Sequence, residues 1–308
     1  MRRKVNIALL VLIVLIGAPF YWLLLDNRPG DAVAKPITIA QLRSLAASLP
    51  GQAPSGVEVE QVAFRVLPRN LFAAGSGMKP ESISVLAWRL PVPGGNAIMI
   101  DGGIAATDAR ALGMDQFFAR RQAKVEAALR SAALVLATHE HPDHQGAIVR
   151  LGEAVVTGKA RFNAGQLPPA WPATELAWGG QPIPPALIAA GPPQAVAPGV
   201  VVIPAPSHTA GSQMIFVRLQ DGRELLFAGD IATMASSWQE TRARSRLVGD
   251  FLAPENRAEV FAWLRTIQAL KRQAPALMIV PGHDWFRIRT DPALARTIRI
   301  GFSQQPTG

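Results

Sequence analysis

Residues 138–146 read Thr-His-Glu-His-Pro-Asp-His-Gln-Gly, which puts His139, His141, Asp143 and His144 within six positions. They follow the apolar run 132–137, which reads as a short buried strand, so the cluster sits where a strand ends and side chains can converge. His139 and His141 stand two apart and point the same way in an extended backbone, as two ligands of one metal should. Asp143 and His144 come one turn later and could serve a second metal beside the first. Only two other histidines exist, His208 and His283. Each follows an apolar run, 200–203 and 276–280. Two further runs, 225–229 and 97–100, end in Asp230 and Asp101. A loop that merely happens to be rich in His would not place every His of the chain behind a strand. Neutral imidazole together with carboxylate is a ligand set suited to zinc.

In this order, Asp101, His139-x-His141-x-Asp143-His144, His208, Asp230 and His283 make the chain similar to the metallo-β-lactamase fold superfamily, over roughly residues 55–285. The resemblance implies an α/β fold, a four-layer αββα sandwich with two mixed sheets face to face and the metals at one edge. It implies two divalent metal ions, with zinc the first candidate and iron or manganese open to the same ligands. His139, His141 and His208 would hold one ion and Asp143, His144 and His283 the other, with Asp230 bridging. Asp101, Thr138 and Ser207 would orient these ligands from outside.

Two cations held close together lower the pKa of bound water and make hydroxide available near neutral pH for attack on a carbonyl or phosphoryl centre. Asp143 is the expected catalytic residue, orienting that nucleophile and taking up its proton. Against the family's subgroups, Asp230 disfavours β-lactam hydrolysis, because the β-lactamases lack this bridging aspartate. The flavodiiron oxygen reductases carry Glu where His141 stands, and an added flavodoxin domain. The helical domain of glyoxalase II enzymes is not found in this sequence. Lactonases of this fold match the ligand set best, although they use a Tyr near the metals and the one Tyr here is Tyr21. The resemblance thus implies a small-molecule lactone or another ester as substrate. A phosphodiester or a thioester is the alternative within the fold. A non-catalytic, membrane-tethered metal-binding protein is the alternative of another class. Leu71, Phe72, Met78 and Trp285 are candidates for an apolar substrate wall, with ordinary loop anchors as the competing reading. Arg242, Arg244 and Arg246 would face one way in an extended segment and could meet an anionic substrate or lipid head groups, with a solvated basic face as the competing reading.

The elements that must position these residues begin after an N-terminal span. Arg2, Arg3 and Lys4 precede an apolar stretch ending at Leu25, long enough to cross a bilayer as one helix, with Tyr21 and Trp22 at its far end. The basic start predicts a single-pass protein with a cytoplasmic N-terminus and an extracytoplasmic hydrolase domain, periplasmic in a bacterium with an outer membrane. A cleaved signal peptide competes, but the run is long and no small-x-small cleavage site comes after it. The expected division is 1–25 membrane anchor, 26–54 linker and short helix, and 55–308 hydrolase domain.

Residues 26–36 read as linker, and Thr38 as the cap of a helix carrying Ile39, Leu42, Leu45 and Leu49 until Pro50-Gly51. Alternation predicts strands at 57–62 and 82–88, and the resemblance implies that the 70–80 loop between them overhangs the metals. Residues 107–130 read as helix with a possible break at Gly113, 231–254 as a loop, and 255–273 as an amphipathic helix burying Val260, Trp263, Leu264, Ile267 and Leu270. The prolines of 166–198 exclude long helices and central strands there, with Trp171, Trp178 and Leu187 as candidate tethers to the core. Net charge is +9 and no residue is Cys. A basic domain beside an anionic membrane accounts for that charge, and no nucleic acid is expected as partner.

Overall fold

Runs of Val, Ile, Leu and Phe with no polar alternation belong to strands covered on both faces, and such runs build the centre of this protein. The computed structural model describes residues 2–168 and 183–303, so Trp171, Trp178, Pro169, Pro172 and Pro182 lie outside the described residues. The strands are β1 (Val57–Pro68), β2 (Pro80–Leu90), β3 (Ile98–Ile100), β4 (Gln116–Phe117), β5 (Leu134–Leu136), β6 (Gln194–Ala197), β7 (Val200–Pro204), β8 (Gln213–Arg218), β9 (Glu224–Phe227), β10 (Met278–Val280) and β11 (Ile298–Ile300). One sheet has the order β11-β1-β2-β3-β5, with β4 paired to β1, and the other β10-β9-β8-β7-β6.

Between the sheets, Val59, Leu86, Trp88 and Ile100 meet Val200, Val202, Ile215 and Phe227. The Trp88 and Phe227 rings pack edge to face with centroids 5.1 Å apart. Neighbouring residues of the same strands point outward. Val201, Ile203 and Phe216 pack under the helices Ile39–Ala46 and Arg257–Gln273, while Met99 and Val135 pack under Ala119–Ser131. The four layers are therefore helix, sheet, sheet, helix. All five side chains expected to face inward from 257–273 are buried.

Strand direction decides where the candidate ligands emerge. β3 runs parallel to β5 and β9 parallel to β10, while β7 lies two antiparallel steps from β9 and so runs with it. Their carboxyl ends release Asp101, the 138–146 segment, His208, Asp230 and His283.

Several boundaries differ from the sequence expectation. The β1–β2 hairpin extends to a Pro68–Pro80 pair, and a bulge at Gln61/Ala63 bends it. The first soluble helix stops at Ala46, which leaves Leu49 exposed. Gly113, at φ 63°, separates the helices Ala106–Ala111 and Ala119–Ser131, with β4 between them. The expected loop 231–254 holds the helix Ala235–Gln239 and a wide π-helical segment, Leu247–Leu252. Leu187 is exposed and its neighbour Ile188 is the buried one. Past His283, two short helices lead into β11, which adds to the edge of the first sheet.

Residues 26–36 are not a free linker. Asp26 is buried and accepts from Arg28 (2.7 Å) and Arg246 (2.9 Å). The Arg28 hydrogen bond outweighs the opposing effect of burial and, with Arg246, holds the Asp26 carboxyl down at about 2. Asn27 bonds the backbone of Thr241 and Ala243, and the Lys35 amide donates to Thr266. Before this segment, the helix Arg2–Phe20 and its continuation Tyr21–Leu25 bury no residue, and together they are long and apolar enough to cross a membrane.

Candidate metal centre

At β3 the chain leaves the sheet through Asp101, which adopts φ 58°, a conformation L-residues rarely take. That turn aims its carboxylate back under the site. Oδ1 accepts from the Thr138 amide (2.7 Å) and hydroxyl (3.1 Å), and Oδ2 from His144 Nδ1 (2.9 Å). The Thr138 hydroxyl also lies 3.2 Å from His139 Nδ1. His283 Nδ1 donates to the Ser84 carbonyl (2.8 Å), and His208 Nδ1 to Glu255 Oε2 (3.1 Å). An imidazole that gives its Nδ1 proton away presents a lone pair at Nε2. Four of the five histidines are fixed in that form by their partners.

Those lone pairs converge. His139 Nε2 lies 2.9 Å from His141 Nδ1, which lies 3.1 Å from His208 Nε2. A tetrahedral ion about 2.05 Å from each nitrogen sets nitrogens about 3.3 Å apart, so small outward shifts admit one. A second group, Asp143, His144 and His283, brings His144 Nε2 and His283 Nε2 to 3.2 Å and the Asp143 carboxylate to 3.8 and 3.7 Å from them. Asp230 stands between. Its Oδ1 is 2.8 Å from His283 and 3.7 Å from His144, and its Oδ2 is 3.7 Å from His208. Oδ1 is buried and faces His283 Nε2, which meets it as a donor only when that ring carries a second proton. An anionic oxygen left unsatisfied among nitrogen lone pairs is costly unless a cation meets it. The donor set therefore fits divalent metal.

Electrostatics agree. Burial, with its histidine neighbours adding, holds His139 well below its ordinary value; burial and then Arg244 do the same for His208. Burial brings His141 to about 4. Neutral imidazole is the ligand form. At His144 burial works downward too, but the Asp101 and Asp143 carboxylates prevail and raise it to about 10. Burial also opposes a rise at His283, where Asp230 prevails. The carboxylates draw positive charge into this half of the site, and protons or metal ions can supply it.

Close backbone approach completes the pocket. A Cβ on Gly282 would collide with Asp230 Oδ1 and lie 2.9 Å from the Gly229 carbonyl carbon. Only glycine lets the β10 loop pass so near.

The structure sorts the other residues singled out from sequence. Ser207 does not reach a histidine; its hydroxyl donates to the Ala205 carbonyl, 2.9 Å away, and shapes the His208 loop. Arg242, Arg244 and Arg246 do not form one free basic face, because each is paired to a different partner inside the protein. Arg242 pairs with Glu240, Arg244 is buried against Asp230 Oδ2, and Arg246 pairs with Asp26 and Asp250. Leu71 and Phe72 are half-buried, Met78 is exposed, and Trp285 packs against the inter-sheet core. The 69–79 loop meets the arginine segment through Ser245 N to Leu71 O (3.0 Å) and Ala74 N to Ala243 O (2.9 Å). Sequence reasoning missed Glu255, whose side chain is fully buried on His208 and pushed up to about 7 by that burial. A lone Glu at the start of a helix carried no signal for that role.

A family model described as the metallo-beta-lactamase superfamily matches residues 82–283. Among solved structures, the chain is similar to a quorum-quenching N-acyl homoserine lactone lactonase (TM-score 0.61, 12% identity, 77% of this chain and 95% of that one). It is similar to an N-acyl homoserine lactone hydrolase with the product N-hexanoyl-L-homoserine at its catalytic metal centre (0.60, 13%, 78% and 97%). A probable metal-dependent hydrolase from Staphylococcus aureus is a further likeness (0.51, 12%, 76% and 91%). At such identities these likenesses show a shared fold. No curated protein sequence matches significantly.

Proposed function

The chain belongs to the metallo-beta-lactamase superfamily and is a metal-dependent hydrolase, and from that premise we propose that it is membrane-anchored and opens lactones or other esters at a site for two metal ions, zinc by preference. One observation carries the two-ion reading. Asp230 turns one carboxylate oxygen to the histidines of each group, Oδ1 to His283 and Oδ2 to His208. A carboxylate so placed supports the bridging reading.

When bound, the two ions supply a hydroxide near neutral pH and polarise the scissile carbonyl. The residues of the chain do the rest. His139, His141 and His208 would hold one ion, and Asp143, His144 and His283 the other. Asp101, Thr138 and Glu255 fix the imidazole tautomers, so no reorientation is needed as charge develops. Arg244 donates to Asp230 Oδ2 and holds the bridging carboxylate in its plane. Asp143 is the more open of the two site carboxylates, with 17% of its side chain exposed against 4% for Asp230. With Oδ2 turned to the histidines, Asp143 Oδ1 is the atom to take up the proton of the nucleophile. Leu71 and Phe72, half-buried on the loop that meets the arginine segment, are the residues assigned to a substrate's hydrophobic part in this reading.

The internal pairing of all three loop arginines weighs against a phosphodiester, which would need cations free to meet it. Removing them would break structural ion pairs whatever the substrate, so their neutralisation does not discriminate between the readings. A hydrolysis screen does. Metal-loaded protein assayed on lactones, simple esters, thioesters, β-lactams and phosphodiesters should turn over the first two classes. Activity confined to phosphodiesters would refute the proposal.

A further inference from the structure

The π-helical segment Leu247–Leu252 ends in two apolar side chains turned to solvent, Phe251 at 58% and Leu252 at 70% exposure. Exposed singly they would be ordinary, but side by side they form part of an apolar patch. Their neighbour is the far end of the N-terminal span. The Phe251 ring meets Trp22 edge to face at 6.1 Å, and Trp22 is itself 44% exposed. The Arg246 guanidinium lies over the other side of this contact, 5.5 Å from the Trp22 ring.

This junction is braced against swinging. The Leu24 carbonyl accepts from Gly75 N (3.2 Å), and the Asp26 carbonyl accepts from Arg257 (2.7 Å). The Asp26 carboxylate holds Arg246. Trp at the end of a span sits at the level of the lipid head groups, so a braced neighbour carrying Phe251 and Leu252 is held at that same depth. The segment also borders the metal site, because Arg244, two residues before Arg246, reaches Asp230.

We propose that Leu247–Leu252 is a second membrane contact, resting Phe251 and Leu252 in the bilayer interface beside Trp22 and turning the mouth of the metal site to the lipid. This rests on the anchored hydrolase reading and narrows it. The substrate is an amphipathic ester or lactone whose long acyl part stays in the membrane while its carbonyl reaches the ions. Lipid is the occupant favoured over a protein partner because the patch is continuous with the span itself.

The chain has no Cys, so Leu252→Cys in the full-length protein carries a single environment-sensitive label, with Ile300→Cys on the edge strand β11 as control. In phosphatidylcholine–phosphatidylglycerol vesicles, the label at 252 should shift to the blue and be quenched by bromine-labelled acyl chains, and the label at 300 should do neither. A label at 252 that remains in water while the protein resists carbonate extraction would overturn the second contact and leave the anchor standing. A blue-shifted label that lipid quenchers do not reach would mean a protein covers the patch, and would also overturn it. A mature chain beginning after Leu25 would remove the anchor reading and this one together. In turnover, Phe251→Ser with Leu252→Ser should cost at least about ten-fold in kcat/KM on 4-nitrophenyl palmitate dispersed in vesicles. The same pair should leave 4-nitrophenyl acetate within about two-fold. Equal losses on both esters would contradict the delivery role.

Discussion

Asp230 is where the two halves of the site meet, and its environment states how much depends on it. Burial opposes its charge, yet His283 and Arg244 hold its carboxyl well below the usual carboxylate range. Asp230→Ala would leave a guanidinium, five imidazoles and any bound cations facing one another with no anion between. Activity should fall at least about 100-fold and the metal content should drop with it. Glu255→Gln tests the support of His208: metal affinity, read by chelator competition, should weaken about 10–100-fold with secondary structure unchanged. Wild-type affinity would mean that Glu255 only packs. At this scale the convergence of the candidate ligands was legible, because each candidate is a His or Asp in a loop that follows an apolar run. Glu255 was not legible, since it meets His208 from 47 positions away and nothing in its own neighbourhood marks it. Arg244 was noticed for its charge and misplaced for the same reason, its partner being the buried Asp230.

Strands bring the ligands together, and glycines let their loops close. Gly282→Ala would set a methyl against Asp230 Oδ1. The expected outcome is a folded protein that is destabilised by about 1–3 kcal/mol and has reduced metal content, measured by thermal unfolding beside elemental analysis. Unchanged metal content would show that the loop gives way freely. The long elements could be read from pattern alone. β7 and β9 are continuous apolar runs because both faces are covered, and the helix Arg257–Gln273 repeats its apolar face over several turns. Elements near one turn in length, such as Leu247–Leu252 and β11, contain too few residues for a period to show. Residues 26–36 looked like linker because they are polar and rich in turn formers. Their order comes from partners such as Arg246, 220 positions on, and no local reading can see such a partner.

Across the whole molecule, the apolar N-terminal helix, the braced junction at Asp26 and the metal site form one connected path. The proposed topology, N-terminus inside and hydrolase domain outside, predicts that protease added to intact spheroplasts digests the domain; a protected domain would reverse the orientation. The αββα sandwich itself was legible only through resemblance, because the order of the motifs matches a known superfamily. The metal count is the sharpest test of the bridged site. Full-length protein, purified metal-replete and assayed for ester or lactone hydrolysis in the same preparation, should contain two ions per chain. Its activity should vanish on chelation and return with the metal. A reproducible ratio of one or zero in fully active protein would contradict the bridged two-ion site.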